Sequence, residues 1–173
     1  VSNYNINKAV DKFYKQGWNT LYPINTYLNS TADEQVYEGK PFSADAKGFP
    51  YDLKPMIGSN YGAISTTPFG NTMTLQLAKE AISAEELGKG KYTDMLTVSL
   101  SSPDYIGHTF GPNSIEVEDA YLRLDQDLGE FLRSRRVVCV QLIQFTMPRT
   151  RDLAAGLQFS DDVIHHRFDL RSL

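Results

Sequence analysis

The chain has 173 residues, of which 41% are hydrophobic and 12% aromatic, so it carries enough apolar material for the core of one domain. A formal net charge of −4 gives no basic footprint for nucleic acid. The sequence has no run of about 18 apolar residues and no basic leader followed by an apolar stretch, so neither a membrane span nor a signal peptide is expected in it. The single Cys139 excludes an intrachain disulfide.

Loops are expected to dominate the first part of the chain. Residues 6–16 favour a short helix that stops at Gly17. Between 19 and 70 the sequence is dense in Pro, Gly, Asn, Ser, Thr and Tyr, which is typical of loops and short strands. Because long irregular segments often bind ligands, the aromatic side chains here are expected either to contact a substrate or to pack into their own core.

A longer helix is predicted over residues 71–87, with Asn71 or Thr72 as its N-cap and Gly88 as its C-terminal stop. This helix is interpreted as scaffold that leads the chain into the next element. Its buried face is expected to consist of Met73, Leu77, Ala81 and Ala84.

The next segment, residues 94–100, is rich in β-branched and apolar residues and predicts a buried strand. A loop punctuated by Gly and Pro follows, and it carries Asp104 and His108, four residues apart. In an open α/β sheet, ligands collect at the carboxyl ends of the strands. Zinc accepts both carboxylate oxygen and imidazole nitrogen, so the pair is a candidate for half of a zinc site. The alternatives are that both side chains are simply solvated or that the Asp caps a turn.

A strongly amphipathic helix is predicted from Ser114 to about Leu132. Asn113 is the expected N-cap, and Glu116, three residues later, would complete a capping box. The apolar stripe of this helix is interpreted as core packing and consists of Val117, Tyr121, Leu124, Leu128 and Phe131.

Several of these segments resemble one known family. The run Ser-Ser-Pro-Asp-Tyr-Ile-Gly-His-Thr-Phe-Gly-Pro-Asn-Ser at 101–114 is similar to the alkaline phosphatase superfamily, specifically its type I phosphodiesterase/nucleotide pyrophosphatase family. The Ser-Ser step, the Tyr-Leu-Arg-Leu-Asp run at 121–125, and the segments 18–23 and 67–71 are similar to its phosphate-monoesterase branch, the alkaline phosphatases. The resemblance covers roughly residues 1–132.

The resemblance implies an α/β fold in which this chain forms part of an alkaline-phosphatase-like sheet flanked by helices, with a loop-rich insertion. Residues 1–91 would be the insertion, or cap, together with the scaffold helix. Residues 92–133 would be the strand, metal-ligand loop and helix of the catalytic α/β core. Residues 134–173 depart from the family pattern and are interpreted as a divergent tail.

The resemblance also implies a two-zinc hydrolase in which Asp104 and His108 bind the same zinc ion, completed by a distant His. The other zinc would need an N-terminal Asp, a nucleophilic Thr or Ser, and an adjacent Asp-His pair, for which this chain has no matching positions. The nucleophile is expected upstream of Val1, so the chain would hold at most one partial zinc site and no catalytic residue. The implied substrate is a small phosphate ester, without nucleic acid or membrane as partner, and the parent enzyme would be periplasmic or secreted.

A change in composition marks the start of the tail. Every Lys and all ten Tyr precede Arg133, whereas every Arg except Arg123 lies at or after it. Where the family would place a strand ending in Asp-His-Gly, residues 135–152 contain no Asp-His step, which a frameshift or a true divergence would explain. His165 and His166 either supply the missing late His ligand of the first zinc or belong to a solvated polar tail.

Two functional hypotheses follow. In the first, the chain is a fragment of a zinc-dependent alkaline phosphatase that acts on phosphate monoesters, with a phosphodiesterase or nucleotide pyrophosphatase as the runner-up. In the second, the chain is catalytically inert and at most a module that binds one zinc ion or a phosphate group. The positively charged residues that would select monoesters over diesters are expected upstream, so this chain by itself does not choose between those substrates.

Overall fold

The computed structural model describes residues 9–133, and the regular structure within them is helical. The α-helices α1 to α4 cover Ala9–Gln16, Phe69–Ala84, Ser102–Phe110 and Ile115–Arg133. The long connection between α1 and α2 contains short 3-10 helices at Ile24–Thr26, Lys54–Met56 and Tyr61–Thr66. None of the helices described is long and apolar enough to cross a membrane. The predictions for 134–173, including those for His165 and His166, lie outside the described residues.

The long connection between α1 and α2 folds around an aromatic core. Gly17 ends α1 as predicted, at φ +69°, and a Cβ there would lie 2.8 Å from the Tyr51 carbonyl oxygen. Trp18 and Tyr51 then exchange backbone hydrogen bonds of 3.0 and 2.9 Å. The rings that pack around Trp18 are Phe42, Phe49, Tyr51 and Phe110. The prediction of loops is therefore confirmed for this connection, whereas the predicted short strands are replaced by 3-10 helices and the single bridge between Trp18 and Tyr51. The aromatic residues around Trp18 pack into their own core.

The strand predicted over residues 94–100 is not formed. Met95 is 90% exposed and Leu96 is 41% exposed, and the rest of the segment is at most partly buried. A strand depends on hydrogen bonds to a neighbouring strand, whereas residues 9–133 contain one isolated bridge pair and no ladder. The prediction of a strand was wrong for the described part of the chain, because its composition favours a strand but no partner is present there.

Helix α2 begins and ends earlier than predicted, and it buries a different face. It covers Phe69–Ala84 instead of 71–87, and the chain beyond it turns through residues with positive φ, including Gly88. The predicted face was wrong, since Leu77 is 40% exposed. Apolar residues lie on several sides of α2, so contacts with α4 decide which side is covered. The buried residues are Phe69, Asn71, Leu75 and Ala78.

Helix α4 confirms the predicted amphipathic helix to within one residue at each end, since it covers Ile115–Arg133. The predicted cap was wrong. The Ser114 hydroxyl accepts the hydrogen bond from the Val117 N–H at 3.3 Å, so Ser114 is the N-cap in place of Asn113. Glu116 closes no capping box either, because its side chain is fully buried and accepts a hydrogen bond from a tyrosine of the core.

Candidate metal centres

The two predicted zinc ligands lie on helix α3, where the sequence predicted a loop. Pro103 occupies the first turn, where its missing N–H breaks no helical hydrogen bond, and Gly111 ends the helix at φ +94°. A Cβ at Gly111 would lie 2.9 Å from the ring of Tyr37, so close approach as well as φ requires glycine there. The Gly and Pro residues thus mark the two ends of one short helix.

Helical geometry brings Asp104 and His108 together, because residues four apart share one face of a helix. Asp104 Oδ1 lies 3.5 Å from His108 Nε2, and the two side chains are 49% and 78% exposed. Ile106 and Phe110, by contrast, are fully buried in the core. The pair therefore projects into solvent from a helix that the core holds in place.

Two protein ligands are fewer than the three that a catalytic zinc ion normally has. Within residues 9–133, no third His, Cys, Asp or Glu joins Asp104 and His108 in a group of ligand dimensions. Tyr121 lies near the pair, and its pKa is raised by burial and, to a smaller degree, by the charge of Asp104. The described residues bring two of the predicted ligands together and supply no third.

A second acidic group lies where the long connection meets α4. Asp33, Glu38 and Glu116, which we call the acidic triad, each present a carboxylate oxygen, and these oxygens lie within 4.8 Å of one another. Burial raises the pKa of Glu38 to about 7, and the charge of Glu116 adds to the shift. Burial also raises the pKa of Glu116, against the opposing effect of its hydrogen bond from Tyr51. The three carboxylate oxygens are therefore close enough together to be ligands of one cation.

The sequence did not reveal the acidic triad, because Glu116 lies far along the chain from the other two members and the three follow no recognisable spacing. A Glu three residues after Asn113 is typical of a capping box, and Glu116 was interpreted in that way. A weak signal was available. Glu116 is next to Val117 and four residues before Ala120, both of which are buried, so its position lies on the buried side of α4.

A further buried carboxylate, Asp119, organises the contact between α4 and the chain after α1. Its Oδ2 accepts hydrogen bonds from Trp18 Nε1 and Arg123 Nε, each at 2.7 Å. Its Oδ1 accepts the Leu21 N–H at 2.6 Å and the Tyr27 hydroxyl at 2.5 Å. The segment that begins at Trp18, one of those that carry the family resemblance, therefore has a structural role in this network.

Comparison with known proteins places the chain in a family. The model of the type I phosphodiesterase / nucleotide pyrophosphatase family matches residues 2–143. The chain belongs to this family, within the alkaline phosphatase superfamily, as the motifs at 101–114 and 121–125 predicted.

Its relatives include named alkaline phosphatases. The chain is 51% identical over 131 residues to alkaline phosphatase PhoV of Synechococcus elongatus, and 49% identical over 135 residues to alkaline phosphatase PafA of Elizabethkingia meningoseptica. These matches cover 76% and 78% of this chain but 24% and 25% of the relatives, so the chain spans about a quarter of their length.

A crystal structure of wild-type PafA matches with a TM-score of 0.73 at 48% identity, over 77% of this chain and 26% of PafA. PafA has an α/β fold, so the predicted fold class is that of the matched structure. Residues 9–133 of the present chain contribute helices and irregular segments to the match, and no sheet. The predicted division into an insertion, a catalytic core unit and a tail stays a prediction.

Proposed function

We propose that this chain is part of a zinc-dependent hydrolase of phosphate monoesters, in which Asp104 and His108 are two protein ligands of one zinc ion. A single distance carries the proposal. Two ligand atoms of a tetrahedral zinc ion, each about 2.0–2.2 Å from the metal, lie roughly 3.3–3.6 Å apart. Asp104 Oδ1 and His108 Nε2 are 3.5 Å apart. The match to alkaline phosphatases supports the reaction class.

The chemistry of the two groups suits zinc as well. Asp104 offers an anionic oxygen, and His108 offers Nε2 as a ligand when its imidazole is neutral. Because Ile106 and Phe110 anchor α3 in the core, the backbone that carries both ligands is held in place before a metal ion binds. Zinc at this site would lower the pKa of a coordinated hydroxyl and offset negative charge on phosphoryl oxygens.

Asp104 and His108 alone make an incomplete site. The proposed reaction also requires a third ligand, a nucleophilic Thr or Ser and a second zinc site, and none of these is assigned to a residue of this chain. We therefore expect the 173-residue chain by itself to bind zinc and to show no turnover. A periplasmic or secreted parent enzyme remains a prediction from the family resemblance.

Isothermal titration calorimetry of the chain with Zn²⁺ tests the ligand assignment. Asp104→Ala and His108→Ala should each weaken zinc binding by at least about tenfold, because each variant removes one of two ligands. Asp125→Ala removes an exposed carboxylate from α4 and is the matched control, for which we expect unchanged binding. Unchanged zinc affinity in both ligand variants, or hydrolysis of p-nitrophenyl phosphate that survives them, would contradict the proposal.

The family description names phosphodiesterases and nucleotide pyrophosphatases, and this favours hydrolysis of phosphate diesters as a second candidate function. The two candidates differ in the charge and bulk that the site must accept around phosphorus. Rates with p-nitrophenyl phosphate and bis-p-nitrophenyl phosphate, measured on the complete enzyme, distinguish them. Faster turnover of the monoester supports the phosphatase, and faster turnover of the diester supports the alternative.

A further inference from the structure

The acidic triad joins the long connection to the first turn of α4. Asp33 and Glu38 belong to the connection and Glu116 belongs to the helix, and their ligand oxygens lie within 4.8 Å of one another. Carboxylates this close repel one another unless a proton or a cation lies between them. None of the ion pairs formed within residues 9–133 involves a member of the triad. Its charge is therefore unbalanced by side chains of the described region.

Hydrogen bonds satisfy part of the acidic triad. Asp33 accepts two backbone N–H groups at 2.9 Å each, and Glu38 Oε2 accepts one at 3.0 Å. Glu116 Oε2 and Glu38 Oε1, by contrast, are buried and have no hydrogen-bond donor. Glu116 is 0% exposed, so bulk water does not reach this oxygen. Buried carboxylate oxygens are normally paired or bound to a metal ion.

The chain around Asp33 is shaped to hold its carboxylate. Gly48 has φ +80°, and a Cβ there would overlap both oxygens of the Asp33 carboxylate. Glycine at this position lets the carboxylate rest against the backbone and accept the Phe49 N–H at 2.9 Å. Asp33 is thereby fixed beside Glu38 and Glu116, so the acidic triad is a built feature of the fold.

We infer that the acidic triad binds a calcium ion. All three ligands are carboxylates, which hard cations prefer, and the triad has no imidazole or thiolate of the kind found in structural zinc sites. With Ca²⁺–O distances of about 2.3–2.6 Å, two ligands of one ion lie at most roughly 5.2 Å apart, so oxygens within 4.8 Å of one another can share it. Mg²⁺ demands near-octahedral geometry and usually keeps several waters while binding one or two carboxylates, so three converging carboxylates suit Ca²⁺ better.

A calcium ion at the acidic triad would also restrain the helix that carries the proposed zinc ligands. Directly after Glu38, the Gly39 N–H donates to the Thr109 carbonyl oxygen of α3 at 2.7 Å. A Cβ at Gly39 would lie 2.9 Å from the same oxygen, so connection and helix are in close contact. Thr109 follows His108 in the chain. The cation would therefore fix the segment that packs against this part of α3.

Terbium luminescence tests the inference on the whole 173-residue chain after removal of metal with EDTA. Tb³⁺ occupies calcium sites, and Tyr51, which donates a hydrogen bond to Glu116, is placed to sensitise its emission. We expect emission that Ca²⁺ displaces. Glu38→Gln and Glu116→Gln should each reduce Tb³⁺ affinity by at least about tenfold. Asp45→Asn removes an exposed carboxylate from the same connection; it is the matched control and should retain emission.

Thermal unfolding gives a second measurement, which does not depend on emission. Ca²⁺ at about 100 times its Kd should raise the Tm of the wild-type chain by roughly 5–10 °C and leave that of Glu38→Gln unchanged. Glu38→Gln is suited to this test because its amide oxygen can still accept the Gln35 N–H. Absence of a calcium effect in the wild type, or a full effect in Glu38→Gln, would overturn the inference.

Two further outcomes would also overturn it. Terbium emission lost in Asp104→Asn but kept in Glu38→Gln would place the ion at the proposed zinc site. A shift in Tm with Mg²⁺ that equals or exceeds the shift with Ca²⁺ would contradict the choice of ion. Because neither measurement uses hydrolysis, failure of the calcium site is distinguishable from failure of the proposed phosphatase function.

Discussion

Glu116 and Asp119 are both fully buried and lie three residues apart on α4, yet their surroundings are opposite. Asp119 accepts four hydrogen bonds, and Arg123 balances its charge. Glu116 accepts one from Tyr51, has an oxygen with no donor, and faces two more carboxylates. A buried carboxylate is stable only where donors or opposite charge replace water. Burial alone therefore does not distinguish a carboxylate that stabilises the fold from one placed to bind a cation.

Replacing the carboxylate by the corresponding amide should have different effects on stability at the two positions. Asp119→Asn places an amide where donors converge and removes the charge that pairs with Arg123, so we expect a loss of about 3–5 kcal/mol in the free energy of unfolding. Glu116→Gln, measured in EDTA, relieves repulsion within the acidic triad and keeps an acceptor for Tyr51, so stability should stay equal or rise. Urea unfolding of both variants measures the difference. Equal losses would show that the two carboxylates have the same role.

A smaller effect is expected when one donor to Asp119 is removed. Tyr27→Phe deletes the hydroxyl that donates to Asp119 Oδ1, and a hydrogen bond to a charged group contributes about 1.5–3 kcal/mol. Tyr22→Phe is the matched control, because Tyr22 is 46% exposed and should change stability by less than about 0.5 kcal/mol. Urea midpoints of the two variants provide the test. A Tyr27→Phe midpoint no lower than that of Tyr22→Phe would contradict the structural role given to Asp119.

The smallest effect should appear in the pH dependence of stability in EDTA. Burial and the charge of Glu116 raise the pKa of Glu38 to about 7 in the folded chain, above its ordinary 4.5, while the Gln35 N–H opposes the shift. Between these two pKa values the folded state holds a proton that the unfolded state has lost. The stability that Glu38 contributes through this proton is therefore fully present below about pH 4.5 and disappears as the pH rises through 7. Asp33 and Glu116 are the other carboxylates of the cluster.

Urea unfolding of the wild type and of Glu38→Gln between pH 4.5 and 8 measures how the ionisation of Glu38 changes the free energy of unfolding. The wild-type chain should lose stability relative to Glu38→Gln as the pH rises, because only the wild type has to ionise this carboxyl. A constant difference between the two chains over that range would show that Glu38 does not titrate near 7.

The sequence by itself was sufficient for features that depend on residues near one another in the chain. Periodicity placed α4, and Gly17 ended α1, because helical faces and glycine stops are local properties. The spacing of four brings Asp104 and His108 close together because the segment is a helix, where the sequence predicted a loop, and their role as zinc ligands stays a prediction. The motif at 101–114 indicated the family that the match over residues 2–143 shows.

Only the tertiary structure decided the rest. The segment 94–100 has the composition of a strand but no strand partner among residues 9–133, and α2 has apolar residues on several sides until α4 covers one of them. Asp119 meets Trp18 across 101 positions of sequence, while Glu116 meets Asp33 and Glu38 instead. Charges and hydrogen-bond donors act over a few ångströms in space, so the role of each carboxylate depends on the segment that folds against it. The spacing of residues along the chain does not indicate which distant segment that is.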